Sequence, residues 1–162
     1  RGIPVWANLI ALEHAGELVV GVVSAPALGR RWWAARGGGA YADGQRIVVS
    51  DVESIDDAHL SGDGYDAFDA TERGAAFQRL ASRCVRSRGF GDFWSHMLVA
   101  EGAIDIALEP SVARWDVAAV EVIVEEAGGR FTDLTGGRHA DGGGALSTNG
   151  RLHDDVLRAL QV

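Results

Sequence analysis

The chain has 162 residues, 47% hydrophobic and 23% charged, with a formal net charge of -8. That is enough chain for one domain with a sizeable core, and the acidic balance argues against a general nucleic-acid or anionic-membrane binder. A single cysteine, Cys84, excludes an internal disulfide; no signal-peptide pattern and no apolar run near the roughly 20 residues of a membrane helix is present, so a cytoplasmic protein is expected.

Val5 to Glu13 and Glu17 to Ser24 are β-branched, apolar runs joined by His14-Ala15-Gly16, the pattern of an antiparallel hairpin. Pro26 breaks the second run. Arg30 to Arg36 reads as a third strand ended by Gly37-Gly38-Gly39. Ala40 to Ala42 and Arg46 to Val49 flank an Asp43-Gly44 turn, so a further short hairpin is expected. Ser50 to Asp57 is a polar, acidic connection. It divides an antiparallel-sheet subdomain (1–57) from an α/β subdomain (58–162).

Beyond it, His59 to Ser61 predicts a short strand and Tyr65 to Thr71 a loop. Glu72 to Arg83 has helical spacing. Val85 to Gly89 is strand or loop, Phe93 to Glu101 helix stopped by Gly102, and Ile104 to Leu108 a buried strand. From Val117 a helix is expected, with Val120, Ile123, Val124 and Ala127 on its apolar stripe and Gly128-Gly129 at its C-terminal end. Arg130 to Leu134 is a strand, Thr135-Gly136-Gly137 a turn, Gly142-Gly143-Gly144 a loop and Ala145 to Thr148 the last strand. After the Asn149-Gly150 turn, Leu152 to Leu160 is a helix with acids in its first turn. The order, meander first and alternating α and β after it, predicts an α+β or α/β layered sandwich: an antiparallel sheet followed by a smaller mixed sheet with helices.

Asp116, at the mouth of the Val117 helix, reads either as a plain N-cap or as a ligand for metal or substrate; Glu109 reads either as a solvated acid or as its partner across the loop. Gly89-Phe90-Gly91-Asp92 precedes another helix, where glycine permits close backbone approach and Asp92 is a cap or faces a ligand. Arg86, Arg88 and Arg114 can neutralise phosphate or simply be solvated. Trp6, Trp32, Trp33 and Trp94 read as packing; Trp115 reads as a site wall or a loop anchor. The five histidines are dispersed, which argues against zinc, and no serine lies in a G-x-S-x-G elbow.

Trp115-Asp116-Val117-Ala118-Ala119 followed by Glu125-Glu126-Ala127-Gly128-Gly129 resembles the W-D-x-A-(A/G)…E-A-G-G signature of the inositol monophosphatase superfamily. Gly2-Ile3-Pro4, Gly21-Val22-Val23, Ala34 to Tyr41 and Thr148-Asn149-Gly150 resemble further segments of it, in order and over nearly the whole chain. Arg31 to Gly37, Gly91-Asp92-Phe93 and Leu98 to Ala103 are most similar to the actinobacterial histidinol-phosphate phosphatases within it. The resemblance implies Mg²⁺-dependent hydrolysis of a small phosphate monoester: L-histidinol phosphate first, inositol-1-phosphate or a sugar phosphate as the alternative. It implies Asp116 as a metal ligand and Glu109, Asp92, Gly91 and Phe93 as substrate-binding residues, with Asp92 and Glu109 holding the cationic groups of histidinol. It also implies a homodimer.

The superfamily's G-E-E and D-P-I-D-G-T segments, which carry the other metal ligands and a water-orienting Thr, are not in this sequence. The chain is therefore expected to be the C-terminal part of such an enzyme, with no catalytic residue of its own and inactive alone. If complete as given, it would be a non-catalytic domain.

Overall fold

The computed structural model describes residues 1–62, 65–138 and 143–161. The alternation along Glu17–Ala25 sets the first layer. This strand (β2) pairs antiparallel with β1 (Asn8–His14) and β3 (Arg30–Ala35); β4 (Gly39–Ala42) and β5 (Gln45–Ile47) extend the meander in the order β1-β2-β3-β4-β5. The hairpin turns use residues in the left-handed region: Ala15 and Gly16, then Asp43 and Gly44. A register shift between Leu12 and Glu13 adds a residue to β2, and Leu18 stays on the buried face with Gly21, Val23 and Ala25.

The second sheet is mixed, with strand order β7-β6-β8-β10-β9. Its members are β6 (His59–Gly62), β7 (Arg86–Arg88), β8 (Ile106–Glu109), β9 (Arg130–Thr132) and β10 (Ala145–Thr148). Among the described residues it has as many strands as the first sheet, but none of its own is longer than four residues. Its helices are α1 (Tyr65–Asp69), α2 (Gly74–Arg83), α3 (Asp92–Ala100), α4 (Arg114–Glu126) and α5 (His153–Ala159). Helices α3 and α4 fill the space between the sheets, while α2 and α5 cover the far face of the second. No helix among the described residues is long and apolar enough to cross a membrane.

Three expectations need correction. Tyr65 to Thr71 is not loop: five residues form α1, too short for periodicity to show, and Phe68 stacks on Phe77 of α2 at 4.1 Å. Helix α4 starts at Arg114, a turn before Val117, so Asp116 is the third helical residue and Ala113 the cap. And α4 is more than one apolar stripe. Val117, Val120, Ile123 and Val124 are buried as expected, but so are Ala119, Glu121 and Val122, because a sheet packs on either side. Gly142, the first residue of the expected Gly142–Gly144 loop, lies outside the described residues.

Close approach of α4 to β2 depends on Gly21. A Cβ there would stand 2.4 Å from the Ala119 carbonyl oxygen. The far end of α4 is held by polar contacts. Glu126 accepts from the amides of Gly37 (2.9 Å) and Gly39 (2.8 Å), and Glu125 pairs with Arg36 at 2.5 Å. Gly128 follows with φ 92, the left-handed residue that ends the helix.

Candidate active site

The site is assembled by four chain segments that meet where α3, α4 and β8 present their ends. Val5 to Leu9, leading into β1, forms one side of a cleft of about 460 Å³; Asp92 and Phe93 open α3, Glu109 ends β8, Ser111 follows it, and Asp116 lies in the first turn of α4. Three of the expected site residues, Asp92, Glu109 and Asp116, thus bring carboxylates to one cavity from separate elements. Phe93 also reaches it, though its ring is mostly core and meets Trp32 edge to face at 6.2 Å. Gly91 does not line the cleft. It supplies the turn into α3 with φ 90, and Asp92 follows at φ 44, a left-handed position that Asp tolerates better than most side chains.

Asp116 caps only weakly: one oxygen, Oδ2, accepts from the Ala113 amide at 3.3 Å. A capping box would need a side-chain oxygen at the cap in return, and Ala113 has none. Asp116 is exposed, with carboxylate capacity left toward the cleft. Glu109 is half-buried and better fixed: its Oε1 lies 2.7 Å from Nε2 of the buried His96, whose Nδ1 lies 2.7 Å from the Ser147 hydroxyl. This pair was not expected from the sequence, where the histidines look scattered. The available signal was the four-residue spacing of Asp92 and His96, which places them on one side of α3.

The arginines expected to meet phosphate are elsewhere. Arg114 pairs with Glu13 at 2.6 Å, and Arg86 and Arg88 sit on edge strand β7 beside His59 and Phe90. Among the described residues no cationic side chain lines the acidic cleft. Trp6, expected as packing, is half exposed and lines the cleft instead. Trp115 does not wall it and lies over a separate shallow depression with Leu9, Leu18 and Ala118. Cys84 is no nucleophile: burial pushes its thiol up to about 11, and Sγ donates to the Leu80 carbonyl.

Three carboxylates around one cavity repel an anion unless a cation joins them. The donor set fits a hard, oxygen-seeking ion in kind, since Mg²⁺ takes one or two carboxylates and completes its shell with water and phosphate oxygen. In number it is small: no group of three His, Cys, Asp or Glu side chains spaced for a metal exists among the described residues.

The profile of the inositol monophosphatase family matches residues 1–162. The chain belongs to this family. A histidinol-phosphatase of Mycobacterium tuberculosis is 52% identical over all of this chain and 64% of its own length. One from Streptomyces coelicolor is 45% identical over 97% of this chain and 62% of its own. Among solved structures an IMPase of Thermotoga maritima superposes with a TM-score of 0.87 at 32% identity, covering 98% of this chain and 61% of that one. The family fold is therefore the layered sandwich described above, and the chain spans a little under two thirds of these relatives.

Proposed function

We propose that the polypeptide containing this chain is a Mg²⁺-dependent phosphomonoesterase acting on L-histidinol phosphate in histidine biosynthesis. The observation that carries this is the convergence of Asp92, Glu109 and Asp116 on one cleft that no described arginine lines. Of the relatives named above, the two histidinol-phosphatases support the substrate.

Asp116 would hold the metal. A bound Mg²⁺ would screen the phosphate charge and acidify a water for attack on phosphorus. The chain's own side chains act on the other half of the substrate. Histidinol carries an amine and an imidazole, and Asp92 and Glu109 are acceptors that match such groups, whereas a neutral polyol offers no charge to balance two carboxylates. Trp6 and Phe93 give the cleft apolar wall against which a flat ring can lie. A cytoplasmic homodimer belongs to the same proposal; a lone thiol suits a reducing compartment, and the dimer rests on family resemblance.

Phosphate release with Mg²⁺ and either L-histidinol phosphate or inositol-1-phosphate tests the substrate. Faster turnover of histidinol phosphate is expected; preference for the inositol ester rejects it. Asp92→Asn is expected to raise KM for histidinol phosphate about tenfold, and little change would sink the role given to Asp92.

A further inference from the structure

Helix α3 sits on a row of small residues. Ser61 of β6, Ala107 of β8 and Ser147 of β10 are register partners across the second sheet. Helix α3 lowers Ser95 and His96 onto this row: the Ser95 hydroxyl meets that of Ser61 at 2.8 Å, and His96 Nδ1 meets Ser147. Glu109 is two residues beyond Ala107 on β8, hence on the same face, and the far ring nitrogen of His96 reaches its Oε1. His96 and Ser147 are fully buried, whereas the Glu109 side chain keeps 12% of its surface exposed, at the cleft.

The chemistry of the three groups gives this chain a direction. A carboxylate only accepts, so Nε2 carries the proton and donates to Glu109. In the neutral imidazole Nδ1 is then the acceptor and takes the Ser147 O–H. Every buried polar atom in the line has its partner, and among the described residues Oε1 is the only Glu109 oxygen engaged. Oε2 takes no hydrogen bond from a described residue and lies at the end of the side chain that lines the cleft.

We propose that His96, braced by Ser147, is a positioning residue for substrate selectivity: it fixes the Glu109 carboxylate so that Oε2 meets the cationic part of the substrate. This rests on the reading that Glu109 binds that part. His96 is fully buried and does not line the cleft, so it acts there through Glu109. Its loss should therefore be felt by a substrate that reaches Glu109 and not by one that does not.

The test compares L-histidinol phosphate with p-nitrophenyl phosphate, which has no cationic group, in the polypeptide containing this chain. His96→Leu is expected to raise KM for histidinol phosphate about tenfold, with kcat within about threefold and both constants for p-nitrophenyl phosphate within about twofold. Ser147→Ala should do the same about threefold, and His96→Gln, which keeps a donor, should recover part of the loss. An equal effect on both substrates, or none on either, overturns the proposal. Glu109→Gln separates the two levels. If it leaves the histidinol-phosphate KM unchanged, the underlying reading fails and this inference with it; if it raises KM while His96→Leu does not, only the role of His96 fails. Should His96→Leu not fold, nitrogen NMR of the wild-type imidazole decides: an Nε2–H tautomer is expected, and an Nδ1–H tautomer overturns the proposal.

Discussion

The two ends of helix α4 differ in how their polar groups are satisfied. At the C-terminal end Glu125 and Glu126 are taken up by Arg36 and the Gly37 and Gly39 amides, and Gly129 is pressed against β10, where a Cβ would stand 2.5 Å from the Thr148 carbonyl oxygen. At the N-terminal end Asp116 has one long bond to the Ala113 amide and otherwise faces a cleft shared with Asp92 and Glu109. In the sequence both ends are a short acidic motif beside an apolar run. The structure separates them: carboxylates tied to a guanidinium or to two backbone amides hold the fold, and a carboxylate with one long bond is available to a ligand.

The sharpest way to break that contrast is Asp116→Asn. Phosphate release by the full polypeptide should fall about 1,000-fold, roughly 4 kcal/mol of barrier, while the unfolding free energy from denaturant titration changes by less than about 1 kcal/mol. A stability loss as large as the activity loss would make Asp116 structural. The opposite behaviour is expected from Gly129→Ala, which should cost about 3 kcal/mol of stability by denaturant unfolding and leave kcat per folded molecule intact. Acid should loosen the same end. His153 lies under it, with its ring nitrogens 3.0 Å from the Thr148 hydroxyl and 2.9 Å from that of Thr132. Burial, with Arg130 adding to it, brings its imidazole down to about 4. The unfolded chain then takes up a proton near pH 6.5 that the folded chain refuses until about pH 4. Stability is full above that window and falls by up to about 3 kcal/mol as pH drops through it; urea midpoints at pH 7.5, 5.5 and 4.5 measure the slope, and His153→Gln should flatten it. The smallest effect is that of Glu126→Ala, about 1.5 kcal/mol from two charge-assisted bonds to the Gly37 and Gly39 amides, read from the same unfolding curves.

The first sheet was legible because its turns announce themselves: Ala15-Gly16 sits between apolar runs and Asp43-Gly44 between two short strands, and such pairs fix register locally. Helix α1 was not, since five residues carry no period. The α4 start was misplaced because Asp116 looks like a cap, while the chain begins its helix after Ala113, whose side chain offers nothing to see. Asp92, Glu109 and Asp116 were each visible as residues with two readings. Their meeting depends on β8 lying beside β10 and under α3, a long-range fact that spacing does not encode. For the same reason His96 and Ser147, 51 positions apart, left no trace as a pair, and Trp6 read as core although it faces the cleft.

One consequence of the placement of α4 concerns cooperativity. The helix follows the second sheet's β8 in the chain, yet its body is the inner lining of the first sheet, and Val117, Val120, Ile123 and Val124 belong to one apolar cluster with Val23, Trp32 and Ala40. A segment ending near residue 57 would have strands and turns but no lining. The two sheets should consequently melt in a single transition, with calorimetric and van't Hoff enthalpies equal, and amide exchange in β2 and α4 should report the same opening free energy.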